Sequence, residues 1–141
     1  MDKRVVANEI LLEDAAALME EGREVTIRPL GYSMLPFIRG GKDSVHLKKM
    51  PGVAVGDMLL VRLPGPTYVL HRLIGKEGDR LTLMGDGNLR GTESCRQADV
   101  LGTVTAIERG SRVIQPGNGL WWRRLKPFRR IILGIYRRLF I

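Results

Sequence analysis

The sequence predicts a mostly β fold: a coiled, antiparallel β-barrel or sandwich with one helix before it and a basic amphipathic helix after it. Three observations carry this expectation. Short β-type runs recur through the middle of the chain, punctuated by GG at 40–41, PG at 51–52, PGP at 64–66 and KEGD at 76–79. Regular turn punctuation between short strands is the pattern of barrels and sandwiches. Helical apolar spacing precedes the first run, and a second helical pattern, rich in arginine, comes after the last.

Taken in order, Asn8 is placed to cap a helix that runs to about Glu21, with Gly22 as its stop signal. Leu11, Ala15 and Leu18 share one face of it, and Glu13, Asp14, Glu20 and Glu21 fall mostly elsewhere. Strands are expected near 24–30, 43–49, 57–63, 67–75, 79–85 and 99–108, with a turn and a short strand around 109–115. QPGNG, residues 115–119, reads as a linker. The chain therefore divides into an N-terminal helix (1–24), a β domain (25–115), and a linker with its basic tail (116–141).

Composition narrows the function classes. A chain of 141 residues fits one domain that can bury a core without covalent staples. Cys95 is the only cysteine, which excludes a disulfide framework and any CxxC metal or redox pair. Asp86-x-Asn88 lacks the further acids of a calcium loop, so no metal and no cofactor is expected. No charge-free apolar stretch reaches membrane-spanning length, and the acidic N-terminus MDKRVVANEILLEDAAALMEE is unlike a signal peptide. The expected location is the cytoplasm, peripheral to the membrane.

The net charge of +8 is concentrated at one end. Residues 119–141 hold seven Lys/Arg and no acid, whereas the other 118 residues hold sixteen bases against fifteen acids. A nucleic-acid enzyme more often spreads a basic face over its body, so nucleic acid is disfavoured as a partner.

One loop stands out. Residues 31–45, GYSMLPFIRGGKDSV, set Ser33 among glycines and a proline, a composition that suits neither a surface loop nor a buried strand. Gly31 frees the backbone, and Met34, Leu35, Pro36 and Phe37 are expected to wall an apolar substrate cleft. A serine hydroxyl needs a base within hydrogen-bond reach, and neutral imidazole suits that task near neutral pH. Of the two histidines, His46 sits beside Lys48 and Lys49 in what reads as an exposed strand. His71 lies in TYVLHRLIG, the most apolar run; a lone strand histidine is usually structural, and its value depends on meeting Ser33 in space. Asp86, framed by Gly85, Gly87 and Gly91, is either a turn aspartate bonded to its own backbone or the carboxylate that orients a catalytic imidazole.

The order of these pieces is more specific than any one of them. G-x-S-M-x-P, then GD at 56–57, a V-L-H-R strand, GDGN at 85–88 and VLGTV at 100–104 together resemble the signal peptidase I superfamily. Leader peptidases and LexA-like self-cleaving repressors share that fold, and the resemblance covers roughly residues 25–108. It implies Ser33 as nucleophile and, because His71 stands where other members have lysine, the Ser–His branch typical of archaea and the endoplasmic reticulum. The family's aspartate box matches Asp86, and its further acid matches Glu93; Asp86 is the favoured partner of His71, with Glu93 the alternative. Gly31 stands where many leader peptidases hold a serine, which leaves the oxyanion hole to backbone N–H groups. The family's usual N-terminal membrane anchor has no counterpart here.

The resemblance implies a serine endopeptidase that acts on an extended leader or pro-peptide through an acyl-enzyme. Two alternatives have other consequences. A LexA-like self-cleaving regulator would carry a DNA-binding domain and an Ala-Gly or Cys-Gly cleavage site, and neither is present. A non-catalytic module of the same fold would bind peptides without cutting them.

The tail begins with Trp121 and Trp122, and Pro127 suits the first position of a helix. Phe128, Ile131, Ile132, Ile135 and Leu139 then line one helical face, with the arginine pairs largely off it. That pattern reads as an anchor for an anionic membrane surface, ahead of a helix docked on its own domain or an RNA-binding arm.

Overall fold

The computed structural model describes residues 4–6, 9–29, 34–65, 67–87, 91–117, 119 and 128–140. In chain order its elements are β1 (Arg4–Val6), α1 (Glu9–Glu20), β2 (Val25–Arg28), β3 (Ser44–Lys48), β4 (Met58–Leu63), β5 (Thr67–Glu77), β6 (Arg80–Met84), β7 (Glu93–Arg96), β8 (Val100–Arg109), β9 (Arg112–Ile114) and α2 (Arg129–Phe140). A 3-10 turn at Gln97–Asp99 joins β7 to β8.

The expected class is what the chain adopts: a mostly antiparallel β protein with a helix at each end. The strands form one sheet in the order β1-β2-β3-β8-β4-β5-β6-β7, with β9 paired to β8. Only β1 and β2 run parallel. Among the described residues the path ends at β1 and β7, so the sheet stays open instead of closing into a barrel. β1 and β7 were not anticipated from the sequence.

Central β4 shows how the core is divided. Met58 and Leu60 point into one apolar cluster, and Leu59 and Val61 into a second on the opposite face. A strand buried on both faces needs a nearly continuous apolar run, which MLLVRL supplies. The first cluster is closed by α1, whose Leu12, Ala15 and Met19 pack with Val25, Ile27, Val45, Leu47, Val104 and Ile107. Of the expected helix stripe, Ala15 is buried and Leu18 half-buried; the side chain of Leu11, like the Asn8 cap, lies outside the described residues. The helix stops where expected. Gly22 adopts φ 87° and donates to the Met19 carbonyl, while the Arg23 N–H reaches back to Leu18. This pair of bonds is a Schellman cap, which needs the left-handed residue that glycine supplies.

α2 docks on this body. Leu133 (2% exposed) packs against Leu35 (1%), with Phe37, Ile132 and Tyr136 at the margin. Ile132 therefore belongs to the docking face, not to the outer stripe. Phe128, Ile131, Ile135 and Leu139 remain 56–71% exposed. Trp121, Trp122 and Pro127 lie outside the described residues. No described helix is long and apolar enough to cross a membrane.

Candidate active site

The site is organised by two neighbours in β5, His71 and Arg72, both buried. Successive strand residues point to opposite faces of a sheet. His71 pairs across to Leu59, on the face of the second cluster, and Arg72 pairs to Met58, on the face of the first.

Sheet register decides which acid each one meets. Leu73 of β5 pairs with Leu83 of β6, and Leu83 pairs with Glu93 of β7. Leu73 and His71 are two residues apart, so Glu93 arrives on the His71 face. Its carboxylate Oε1 is hydrogen-bonded to His71 Nδ1. A carboxylate can only accept, so the shared proton sits on Nδ1, and in the neutral ring Nε2 is then the acceptor. Arg72 pairs with Met84, the last residue of β6, and Asp86 follows two residues on, in the turn. Arg72 Nε donates to Asp86 Oδ1 at 2.9 Å, and Nη2 donates to Oδ2 at 2.7 Å. The carboxylate at Nδ1 is thus Glu93, the alternative of the two acids, while Asp86 is taken up by the guanidinium.

Arg72 is fully enclosed and acts as a hub. Its Nη1 donates to the carbonyls of Gly56 (2.8 Å) and Gly117 (3.1 Å). Its guanidinium carbon lies 5.0 Å from the centroid of the Phe37 ring, a cation–π distance. Gly119 is obligatory at its place: a Cβ there would lie 2.6 Å from Arg72 Nε, and its φ is 68°. Burial pushes the Asp86 carboxyl above the ordinary aspartate value, and the bonds from Arg72 offset only part of that. Sequence reasoning passed over Arg72. The signal was available in the HR pair itself, since an arginine beside an inward histidine must point into the other face.

Ser33 lies outside the described residues, as do residues 30–32 and 88–90. The stretch immediately after Ser33 is well anchored. Met34 turns its sulfur to the Asp86 N–H at 3.4 Å, and its carbonyl accepts from Phe37 and Ile38 in a single helical turn. The residue after Ser33 is thereby held against the turn that ends β6, at the partner of Arg72. Asp43 fixes the far end of the loop. It accepts from the Arg39 N–H at 2.8 Å and from Arg109 Nη2 at 2.8 Å, and Arg109 also donates to the Phe37 carbonyl at 3.0 Å. Burial raises the Asp43 carboxyl, but the bonds from Arg109 and Arg39 outweigh it and hold the group below its ordinary value. Both Asp43 and Arg109 escaped the sequence reading, because nothing local links residues so far apart in the chain.

The four residues expected to wall a substrate cleft divide in two. Met34 and Leu35 are buried in the core clusters, whereas Pro36 and Phe37 keep exposed surface. Comparison with known family models and with curated proteins finds no match. The geometry stands alone.

The remaining candidate groups are engaged elsewhere. His46 is half-buried in β3, not exposed as expected, because Glu108 of β8 at 2.5 Å from Nε2, Glu24 at 3.4 Å and the Thr26 hydroxyl of β2 at 3.1 Å surround it. Cys95 packs into the second cluster, where burial pushes its thiol up to about 11. A thiol so protonated at neutral pH is a poor nucleophile.

Proposed function

We propose that this chain is a serine endopeptidase of the signal peptidase I type, with Ser33 as nucleophile, His71 as base and Glu93 as the carboxylate that orients the base. The observation that carries the reading is the buried His71–Glu93 pair, a carboxylate hydrogen-bonded to Nδ1 of the histidine that the resemblance assigns to the base. Glu93 fixes the Nδ1–H tautomer, so Nε2 is the nitrogen that can take a proton. Ser33 Oγ bonds to the scissile carbonyl carbon as its proton passes to Nε2. The C–N bond breaks when Nε2 returns that proton to the leaving amine. Water, deprotonated by the same nitrogen, then cleaves the acyl ester and frees the serine. Arg72 and Asp86 position the assembly: they tie β5, the turn after β6, Phe37 and the linker carbonyl of Gly117 together.

The substrate class is an extended leader or pro-peptide, the kind of ligand that adds a strand to an open sheet edge. Self-cleavage and non-catalytic peptide binding are separated from this reading by one experiment. Peptides that copurify with Ser33→Ala are sequenced and offered to the wild-type protein. Cleavage in trans at a single bond is expected. Binding without cleavage would make the chain a peptide-binding module, and a cut only within the chain itself would make it a self-processing regulator.

A further inference from the structure

α2 presents two apolar faces, and only one has a use within the fold. Leu133, Ile132, Tyr136 and the buried Arg129 form the docking face. Phe128, Ile131, Ile135 and Leu139 fall at i, i+3, i+7, i+11 and form a separate stripe about 120° around the helix. All four are more than half exposed. The exposed Arg138 borders this stripe on the side away from the docked face, with the exposed Arg130 beyond it, and no acid occurs anywhere in 119–141.

We propose that α2 seats the protein on an anionic membrane surface through this stripe, and that the docked face holds the serine loop within about one helix diameter, roughly 10 Å, of the headgroups. Large apolar side chains flanked by arginines, with low overall apolarity, are what an interfacial helix needs. A second copy is a poor occupant, because pairing two such stripes would bring Arg130 and Arg138 against like charges. RNA would satisfy the arginines but leave four large apolar side chains in water. A bilayer surface satisfies both. Leu133 packs on Leu35, so the helix that contacts lipid is seated on the described part of the serine loop. The lipid contact does not rest on the peptidase reading.

The test is sedimentation of the full chain with vesicles of phosphatidylcholine alone or mixed with phosphatidylglycerol. Wild type is expected to bind the anionic vesicles at least about tenfold more tightly than the neutral ones, with the preference shrinking as salt rises. The double variant Ile131→Asp/Ile135→Asp leaves Leu133 in place. It should bind roughly hundredfold more weakly, because two buried isoleucines are lost, at an unchanged melting temperature. Arg130→Glu/Arg138→Glu should remove the anionic preference and provides a second arm should the first variant misfold. The Ser33→Ala protein should bind as wild type, so a failure of catalysis leaves the lipid result intact. The proposal is overturned if wild type stays in solution with anionic vesicles, or if RNA displaces the vesicles at physiological salt. It is equally overturned if the wild type is a dimer that the isoleucine variant converts to a monomer.

Discussion

His71 and Arg72 are adjacent in β5, and each meets one carboxylate, on opposite faces of the same sheet. On one face Glu93 reaches a histidine ring that keeps a second nitrogen as acceptor. On the other, Asp86 meets a guanidinium that also binds two carbonyls and covers an aromatic ring. The chemical difference is instructive. An imidazole can take up and release a proton at neutral pH, so a carboxylate beside it tunes a reaction. A guanidinium does not release its proton, so a carboxylate beside it tunes only position and stability. Two similar-looking acid–base pairs, one residue out of phase, therefore have different consequences when broken.

The largest effect should come from the proposed pair of nucleophile and base. Ser33→Ala and His71→Ala are each expected to lower peptide cleavage by roughly three to four orders of magnitude, with the double variant no worse than either. Melting temperatures should stay near wild type for the serine change. Additive losses would show that the two side chains do not act as a unit.

Next comes the opposite face. Arg72→Met should destabilise the fold by about 3–5 kcal/mol, because Asp86 would remain buried without its partner. Arg72→Met/Asp86→Leu should recover a large part of that loss, as measured by urea midpoints. If the double variant is as unstable as the single one, the cost lies in the Gly56 and Gly117 carbonyl bonds instead.

The two acids then separate by readout. Glu93→Gln is expected to lower kcat by about 100-fold or more at nearly constant stability, whereas Asp86→Asn should act mainly on the melting temperature. The reverse ranking would return the orienting role to Asp86.

Asp43 is a smaller test of the same distinction. Its folded carboxyl titrates below its unfolded value, so its stabilisation is fully present above the ordinary aspartate range of about 3.9 and fades as pH falls through the folded value. Asp43→Asn should cost about 1–3 kcal/mol at neutral pH and progressively less in acid, read from melting curves. The smallest effect on the rate belongs to His46→Ala, which should change cleavage by less than about twofold, because its partners Glu108, Glu24 and Thr26 are separate from those of His71. A large loss there would move the base.

Much of the fold was legible because its signals are local. Helix 8–21 and the runs at 57–63, 67–75 and 79–85 lie within a residue or two of α1, β4, β5 and β6. β7 was missed because ESCR turns only Cys95 inward, which leaves no alternation to read. β1 was missed because a three-residue parallel edge strand has no periodicity of its own. Which of Asp86 and Glu93 lies at His71 Nδ1 was not legible for a different reason. The glycines around Asp86 fix its backbone, but the face it occupies is set by register across β5, β6 and β7, and register is not written in any one segment. The tail's exposed stripe was legible in its spacing, while its docking face was hidden, because Leu133 acquires meaning only once Leu35 is beside it.

Ser33 is the residue on which the catalytic reading depends, and labelling with a fluorophosphonate probe, mapped by peptide mass, addresses it most directly. Covalent modification at Ser33 is expected in the wild type. It should be abolished by His71→Ala, strongly slowed by Glu93→Gln, and kept by Asp86→Asn in whatever fraction remains folded. Absence of labelling across a broad pH range, or labelling at another serine, would contradict a Ser33–His71–Glu93 peptidase.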